Sequence, residues 1–331
     1  MISKKQAWQT QRDGFLSSLQ YMQGRQQGTI KSIQTPWPKF NDAGTDGIEW
    51  NSTVIIGGRP GSGKTLIKDQ IIRESFKLNK GEDFRVLEFQ LEMMARVSAI
   101  REYSSVLGKT YKYLCSADGK LTKEDLHLCY EYAKERVKYP TDVVETSCTV
   151  PEFIEIINEY METNAIKEED GKKVYKKTII TLDHSLLLNK APYEKDVSDT
   201  LYSLGKALTG LKRKYPIIFI ILSQLNRNVD SPERCEDGKY GNYILESDIF
   251  GADALLQHAD ILVGINRPAK QKIKFYGPER YIINDERILV LHFLKCRNGD
   301  TRMSFFRAEF EKMSIREIPI PATQERTVRT R

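Results

Sequence analysis

A chain of 331 residues with 40% hydrophobic content can bury a sizeable core as one enlarged domain with appendages, and is well short of three domains. Its 51 Lys and Arg against 45 Asp and Glu leave a net charge of +6 and a pI near 8.8, below the strongly basic level of a dedicated DNA-coating domain. Five widely spaced cysteines (Cys115, Cys129, Cys148, Cys235 and Cys296) without a CxxC pair, an N-terminus without a signal-peptide core, and a longest apolar run of only residues 217–222 exclude a disulfide scaffold, secretion and a membrane span, and point to a soluble cytoplasmic protein.

From the N-terminus, residues 3–24 set Trp8, Phe15, Leu19 and Met22 along one helical face, within a first segment of residues 1–28. That stripe needs burial, either on its own core or on a neighbouring subunit. Residues 25–51, rich in Gly, Pro, Asn and Asp, tether it to the first strand. Residues 53–56 read as that strand, fully buried, and the eight residues from Gly58 to Thr65 fit the pattern GxxxxGK[ST]. The chemistry requires that order. Gly58, Gly61 and Gly63 let backbone N–H groups turn onto a polyphosphate where a Cβ would block approach, with Arg59, Pro60 and Ser62 completing the loop. Lys64 reaches the β and γ phosphates, the Thr65 hydroxyl ligates Mg²⁺, and the helix opening there adds the positive end of its dipole. A glycine-rich turn with an incidental lysine is the bland alternative; the strand before it and the helical spacing of Leu66, Ile67, Gln70 and Ile71 after it decide for ATP and Mg²⁺ binding.

Further on, residues 84–90 form a strand that runs into Leu91 and Glu92, followed by a helical pattern to about Leu107 and another opening at Thr122. Thr149 with Glu152 makes a capping box for the helix after a strand at 142–145. Residues 164–177 read as a charged surface loop. A second apolar strand, 178–182, ends in Asp183, and a third, 217–222, ends in Ser223 and Gln224. Residues 226–247 are a polar loop, 248–258 a helix, and 261–265, 287–294 and 302–308 later strands. Residues 313–331 read as a basic flexible tail after a core spanning 29–312. Apolar strands alternating with helices indicate an α/β fold: a largely parallel sheet covered on both faces, with its ligand at the carboxyl ends of the strands.

Glu92, Asp183 and Gln224 all fall at such ends. Asp183 is placed to hold Mg²⁺ through water, Glu92 to activate the attacking water, and Gln224 to sense the γ phosphate; each is also an ordinary strand-end polar residue when taken alone. Lys295 and Arg297, in KCRNGD, are either a solvated basic turn or the extra positive charge that phosphoryl transfer needs. His184, His258 and the cysteines show no metal spacing.

The ordered set GRPGSGKT, FQLEMMA, TIITLDHSLLL, ILSQLNRNVDSPER, SDIFGADALLQHAD and KCRNG resembles the RecA-like ATPase domain of DnaB-type replicative helicases, phage versions included, over nearly the whole chain. The resemblance implies a RecA-like P-loop fold and a hexameric ring of the 5′-to-3′ class. Such a ring hydrolyses ATP at subunit interfaces, draws single-stranded DNA through its pore and works with a primase or loader. It assigns Glu92 as catalytic base, Thr65 and Asp183 to the metal, Gln224 as phosphate sensor, and Lys295 with Arg297 as the basic pair lent by the adjacent subunit. Residues 1–28 match its linker helix.

Two departures qualify the match. The family's primase-docking N-terminal domain has no counterpart in the residues ahead of the core. The pore segment usually written SDLRESGAIEQDAD is SDIFGADALLQHAD, so Phe250, Gly251 and Asp253 replace residues that touch the DNA backbone. Phe250 then becomes a candidate base-stacking residue, and Arg227, Arg234, Lys239, Lys190 and Lys195 candidate suppliers of charge, diluted by Asp230, Glu233, Glu236 and Asp237. A RecA-like recombinase or ATP switch, and a nucleotide-gated scaffold of a replication complex, are the alternative functions.

Overall fold

A computed structural model describes residues 10–169, 171–236 and 242–324; Trp8, Lys239 and Asp237 lie outside the described residues. Helix α1 (Gln11–Gln26) is capped by Thr10, whose hydroxyl accepts the Asp13 N–H at 3.1 Å, and α2 is the short Pro38–Ala43. Then come β1 (Thr53–Gly58), α3 (Lys64–Leu78), β2 (Phe84–Gln90), α4 (Ala95–Leu107), α5 (Tyr111–Cys115) and α6 (Lys123–Arg136). The middle of the chain supplies β3 (Thr141–Val144), α7 (Val150–Thr163), β4 (Ile166–Glu169), β5 (Lys172–Tyr175), β6 (Lys177–Asp183), α8 (Val197–Lys214) and β7 (Ile217–Gln224). After α9 (Pro232–Cys235) and α10 (Ala252–Leu256) come β8 (Ile261–Asn266), β9 (Phe275–Tyr276), β10 (Tyr281–Ile282), β11 (Ile288–Cys296), β12 (Arg302–Glu309) and β13 (Ser314–Ile318).

Among the described residues, nine strands form one sheet in the order β13-β12-β11-β8-β1-β7-β6-β2-β3. From β8 to β3 every pairing is parallel, and from β8 to β13 every pairing is antiparallel. The central strands are buried on both sides, which is why they read as unbroken apolar runs. Alternation divides them between two cores. Ile55, Phe219 and Ile221 face Phe153, Ile157, Leu204 and Leu208 of α7 and α8, while Val54, Ile56, Ile218 and Ile220 face Ile67 and Ile71 of α3. Each such side chain contributes about 1.5–3 kcal/mol by leaving water. The capping box at Thr149 is formed, with Glu152 Oε2 accepting the Thr149 N–H at 2.7 Å.

Three sequence expectations change. Residues 164–177 are a hairpin, β4 against β5, with Ile166 opposite Tyr175 and Tyr175 edge-on to Tyr215 at 4.7 Å. The two-residue Asp-Gly connection between the strands is a hairpin signal that the surrounding charge hides. The segment from 313 is not all tail, because β13 pairs with β12 and Ile315 is buried. Gln70 brackets Ile315, accepting its N–H and donating to its carbonyl, both at 2.9 Å. The helix expected over 248–258 is shorter: a 3₁₀ turn at Glu246–Asp248, then α10.

In α1 the stripe does not fold back on its own core, since Phe15 is 66%, Leu19 51% and Met22 54% exposed. What ties the helix to the body is polar. The Tyr21 hydroxyl donates to Glu49 at 2.7 Å, and Arg25 donates to Ser32 at 2.9 Å and to the Thr45 carbonyl at 2.6 Å. No helix among the described residues is long and apolar enough to cross a membrane.

Candidate active site

The glycine-rich loop leaves the carboxyl end of β1 and opens α3. Gly61 and Gly63 have φ of +70° and +101°, conformations that L side chains rarely adopt, and a Cβ on Gly63 would press on the Phe310 ring at 3.2 Å. Lys64 folds back over the loop, its Nζ donating to the Gly58 carbonyl at 2.7 Å and the Arg59 carbonyl at 3.3 Å. Burial depresses the Lys64 pKa, against the opposing pull of Asp183 and Glu92. A half-buried ammonium bonded only to its own loop is poised to exchange those carbonyls for phosphate oxygens.

Strand register delivers the other groups. β6 pairs with β2 so that Asp183 lies opposite Gln90, and the Leu91 N–H donates to the Asp183 carbonyl at 3.1 Å, which sets Glu92 just beyond the same strand ends. β7 pairs with β1 so that Gln224 lies opposite Gly58. A cavity of about 330 Å³ is thereby lined by Lys64, Thr65, Glu92, His184 and Gln224 together. The Thr65 hydroxyl donates to Asp183 Oδ2 at 2.9 Å, and Asp183 Oδ1 is buried with no hydrogen-bond partner among the described residues. A hydroxyl beside a carboxylate with one oxygen unmatched is a hard-oxygen donor set that fits Mg²⁺. His184 packs against Gln224, and its own pKa is lowered by burial, against the pull of Glu92 and Asp183.

Beneath the loop, Lys68 is fully buried between Asp69 at 2.7 Å and Glu88 at 2.9 Å, tying α3 to β2. Burial works against its charge, but the two carboxylates outweigh it and hold its pKa above the ordinary lysine value. The Ser98 hydroxyl donates to Gln90 at 3.0 Å, which fastens α4 to the end of β2. Sequence reading missed the residue this helix carries into the cavity: Arg101, nine positions after Glu92. It also missed Phe310 and Met313, which line the cavity from the far end of the chain, Phe310 lying under the Arg267 guanidinium at 4.4 Å. Helical spacing from Glu92 was a usable signal for Arg101. Nothing local marked Phe310.

Lys295 and Arg297 do not join this protomer's cavity. Antiparallel β11 places Cys296 opposite Ile261, which is itself opposite Val54 at the start of β1, so four strand residues, about 13 Å, separate that level from Gly58. The Lys295 Nζ donates to the Leu256 carbonyl at 2.5 Å, and Arg297 is held by Asp260 at 3.3 Å with 54% of its side chain exposed.

Among the proposed DNA contacts, Arg234 is taken up internally. Its guanidinium meets Asp248 at 2.5 and 3.0 Å and the Tyr243 carbonyl at 2.5 Å, so it clasps its own loop and is not a spare cation. Phe250 is half-buried against the core beside α8, and its N–H donates to the Gln224 carbonyl at 2.8 Å, so its ring is not an open stacking face. Arg227, Lys190 and Lys195 are exposed. In the loop itself, Arg59 is bound to Asp230 at 2.6 Å.

The model of the DnaB-like helicase C-terminal domain matches residues 32–315. The chain belongs to that family. It is similar to the replicative DNA helicase DnaB of Helicobacter pylori, at 25% identity over 226 residues in strain ATCC 700392 / 26695 and 24% in strain J99. In both cases 67% of this chain is covered and 41% of the relative, so the chain spans about two-fifths of the length of these DnaB proteins. Among solved structures, the ATPase domain of a phage helicase superposes with a TM-score of 0.76 at 17% identity, covering 94% of this chain and all of that one. A DnaB-like replicative helicase studied for its interactions with primase gives 0.69 at 17% identity, covering 86% of this chain and 63% of that one. A KaiC-like protein of Pyrococcus horikoshii gives 0.53 at 16% identity, covering 88% of this chain and all of that one. The fold is therefore RecA-like, with the DnaB-family motifs at the carboxyl ends of its parallel strands.

Proposed function

We propose that the protein is an ATP-dependent replicative DNA helicase acting as a ring of identical subunits, six by likeness to its family, that moves along single-stranded DNA in the 5′-to-3′ direction and hydrolyses ATP where subunits meet. One observation carries the reading. Thr65, Glu92, Asp183 and Gln224 gather around Lys64, while the remaining cation of the family motif, Arg297, stands at the opposite end of the sheet, where only another protomer can use it.

In this reading the loop N–H groups and Lys64 seat the triphosphate. Thr65 and Asp183 hold Mg²⁺, which supplies charge neutralisation on the phosphate oxygens when bound. Glu92, exposed at the cavity mouth, orients a water and takes its proton as the water attacks in line. Arg101 adds positive charge from the same protomer and Arg297 from the next. Gln224 links hydrolysis to DNA: its side chain faces the cavity while its backbone carbonyl holds Phe250 of the pore segment. The exposed stripe of α1 packs on the neighbour as a linker. Primase or loader would engage a surface outside the ATP site.

Strand displacement on a forked duplex, run with and without ATP and Mg²⁺, tests this. Displacement that requires both supports the helicase. The buried placement of Phe250 favours one alternative, a nucleotide-gated scaffold, which ATP turnover indifferent to single-stranded DNA and no displacement would support.

A further inference from the structure

Resting on the proposed passage of single-stranded DNA, we propose that Tyr193, at the tip of the loop after β6, is a base-stacking platform for single-stranded DNA, flanked by Lys190 and Lys195 as its phosphate contacts. Tyr193 is 68% exposed. Lys190 and Lys195 are exposed beside it, in the run KAPYEK.

The loop is built to hold that ring still. Residues 191–194 make a tight turn closed by the Glu194 N–H on the Ala191 carbonyl at 2.9 Å, with Pro192 at the position where its fixed φ suits a turn. The buried Glu194 carboxylate accepts the Ala191 N–H at 2.9 Å and the Thr200 hydroxyl at 2.7 Å, clamping the turn to α8. Burial opposes the Glu194 charge, but these donors prevail and keep its pKa low. Upstream, the Asn189 N–H donates to the Cys148 carbonyl at 2.9 Å, and the Lys190 Nζ spans the turn to the Lys195 carbonyl at 3.2 Å. A tyrosine with its apolar face in water, on a turn fixed at both ends, loses little freedom on meeting a base.

Placement and elimination point the same way. The loop continues from Asp183 through a 3₁₀ turn (Ser185–Leu187), at the same end of the sheet as Gln224 and the pore segment. That segment has lost its backbone-contacting arginine, and its aromatic replacement, Phe250, is packed on the core. A base's π face needs an open ring, and Tyr193 presents one. The nearby acids do not cancel the lysines outright: Asp196 caps α8 at the Asp199 N–H, 3.1 Å, and Asp199 accepts the Lys195 N–H at 2.9 Å.

Stacking and charge separate experimentally by salt. The affinity of the full-length protein for a labelled oligo(dT), with Mg²⁺ and a non-hydrolysable ATP analogue, is measured across a salt series for Tyr193→Ala, Tyr193→Phe, Lys190→Ala and Lys195→Ala. Tyr130→Ala, on the exposed face of α6, is the control. Tyr193→Ala should lose about 10-fold or more in affinity with an unchanged salt slope, and Tyr193→Phe should keep its affinity. Each lysine variant should flatten the slope by about 0.7. Wild-type affinity in Tyr193→Ala, or equal losses in Tyr193→Phe and Tyr193→Ala, overturns the platform while leaving the helicase reading in place. Failure of the unmodified protein to bind oligo(dT) overturns both.

Discussion

His184 Nε2 lies 3.3 Å from the side-chain nitrogen of Gln224, while His184 Nδ1 accepts the Leu186 N–H, also at 3.3 Å. A ring nitrogen that accepts carries no proton, so the neutral imidazole is protonated on Nε2. Two donors cannot bond each other. The Gln224 amide therefore presents its oxygen to His184 and turns its NH₂ group away, as a donor for a γ phosphate. His184→Phe keeps the size and removes the bond, which fixes the amide at about 0.5–1.5 kcal/mol. The expected outcome in steady-state kinetics is a kcat lower by about 3- to 10-fold with ADP affinity unchanged. Equal weakening of ADP would mean that the ring only fills space.

Arg297 spends its charge on Asp260 in the single protomer. Arg297→Ala should retain nucleotide binding and lose ATP turnover by about 10³-fold. Mixing it with Lys64→Ala protein should restore part of the activity, since each supplies what the other lacks at a shared boundary. Assembled mixed rings without any rescue would show that the site is complete within one chain.

The exposed apolar stripe of α1 has no partner within its own fold among the described residues. Phe15→Ser with Leu19→Ser should leave the unfolding free energy of the dilute protein within about 0.5 kcal/mol of the original, as for other surface changes. The same pair should abolish ring formation in light scattering. A large loss of monomer stability would place the stripe on its own core after all.

Lys68 is the cation of a buried cluster. In the native chain Glu88 has a depressed pKa, so its contribution is present above the ordinary carboxylate range and lost as pH falls through the folded value. Lys68, with its pKa raised, contributes fully below the ordinary lysine range and loses that contribution as pH climbs through the higher folded value. Asp69, with its pKa raised, partly opposes both. Lys68→Met leaves two carboxylates facing each other out of water and should cost about 3–5 kcal/mol near neutral pH. Both acids then bind protons more tightly folded than unfolded, so the variant loses stability as pH rises from about 4 to 7. Urea unfolding across that range should show the gap from the original protein widening; a constant gap would mean the carboxylates do not interact.

Much of this protein was legible before folding. The apolar runs ending at Gly58, Asp183 and Gln224 are strands buried on both sides, and such strands announce themselves by composition because neither face can be polar. The loop from Gly58 to Thr65 is a local motif whose backbone conformation is fixed by its own glycines. The β4–β5 hairpin and β13 escaped notice because charge and proline surround them and their pairing partners, not their composition, make them strands.

Sequence alone determined which residues could hold a triphosphate and its metal, since that depends on residue type and local turn. Tertiary structure decided their company. Parallel register put Glu92, Asp183 and Gln224 at one end of the sheet, the antiparallel turn of β11 carried Arg297 to the other, and long-range packing brought Arg101 and Phe310 into the cavity and took Phe250 and Arg234 out of solvent. The physical reason is that a motif needs only neighbouring residues, whereas exposure and proximity belong to the packed whole.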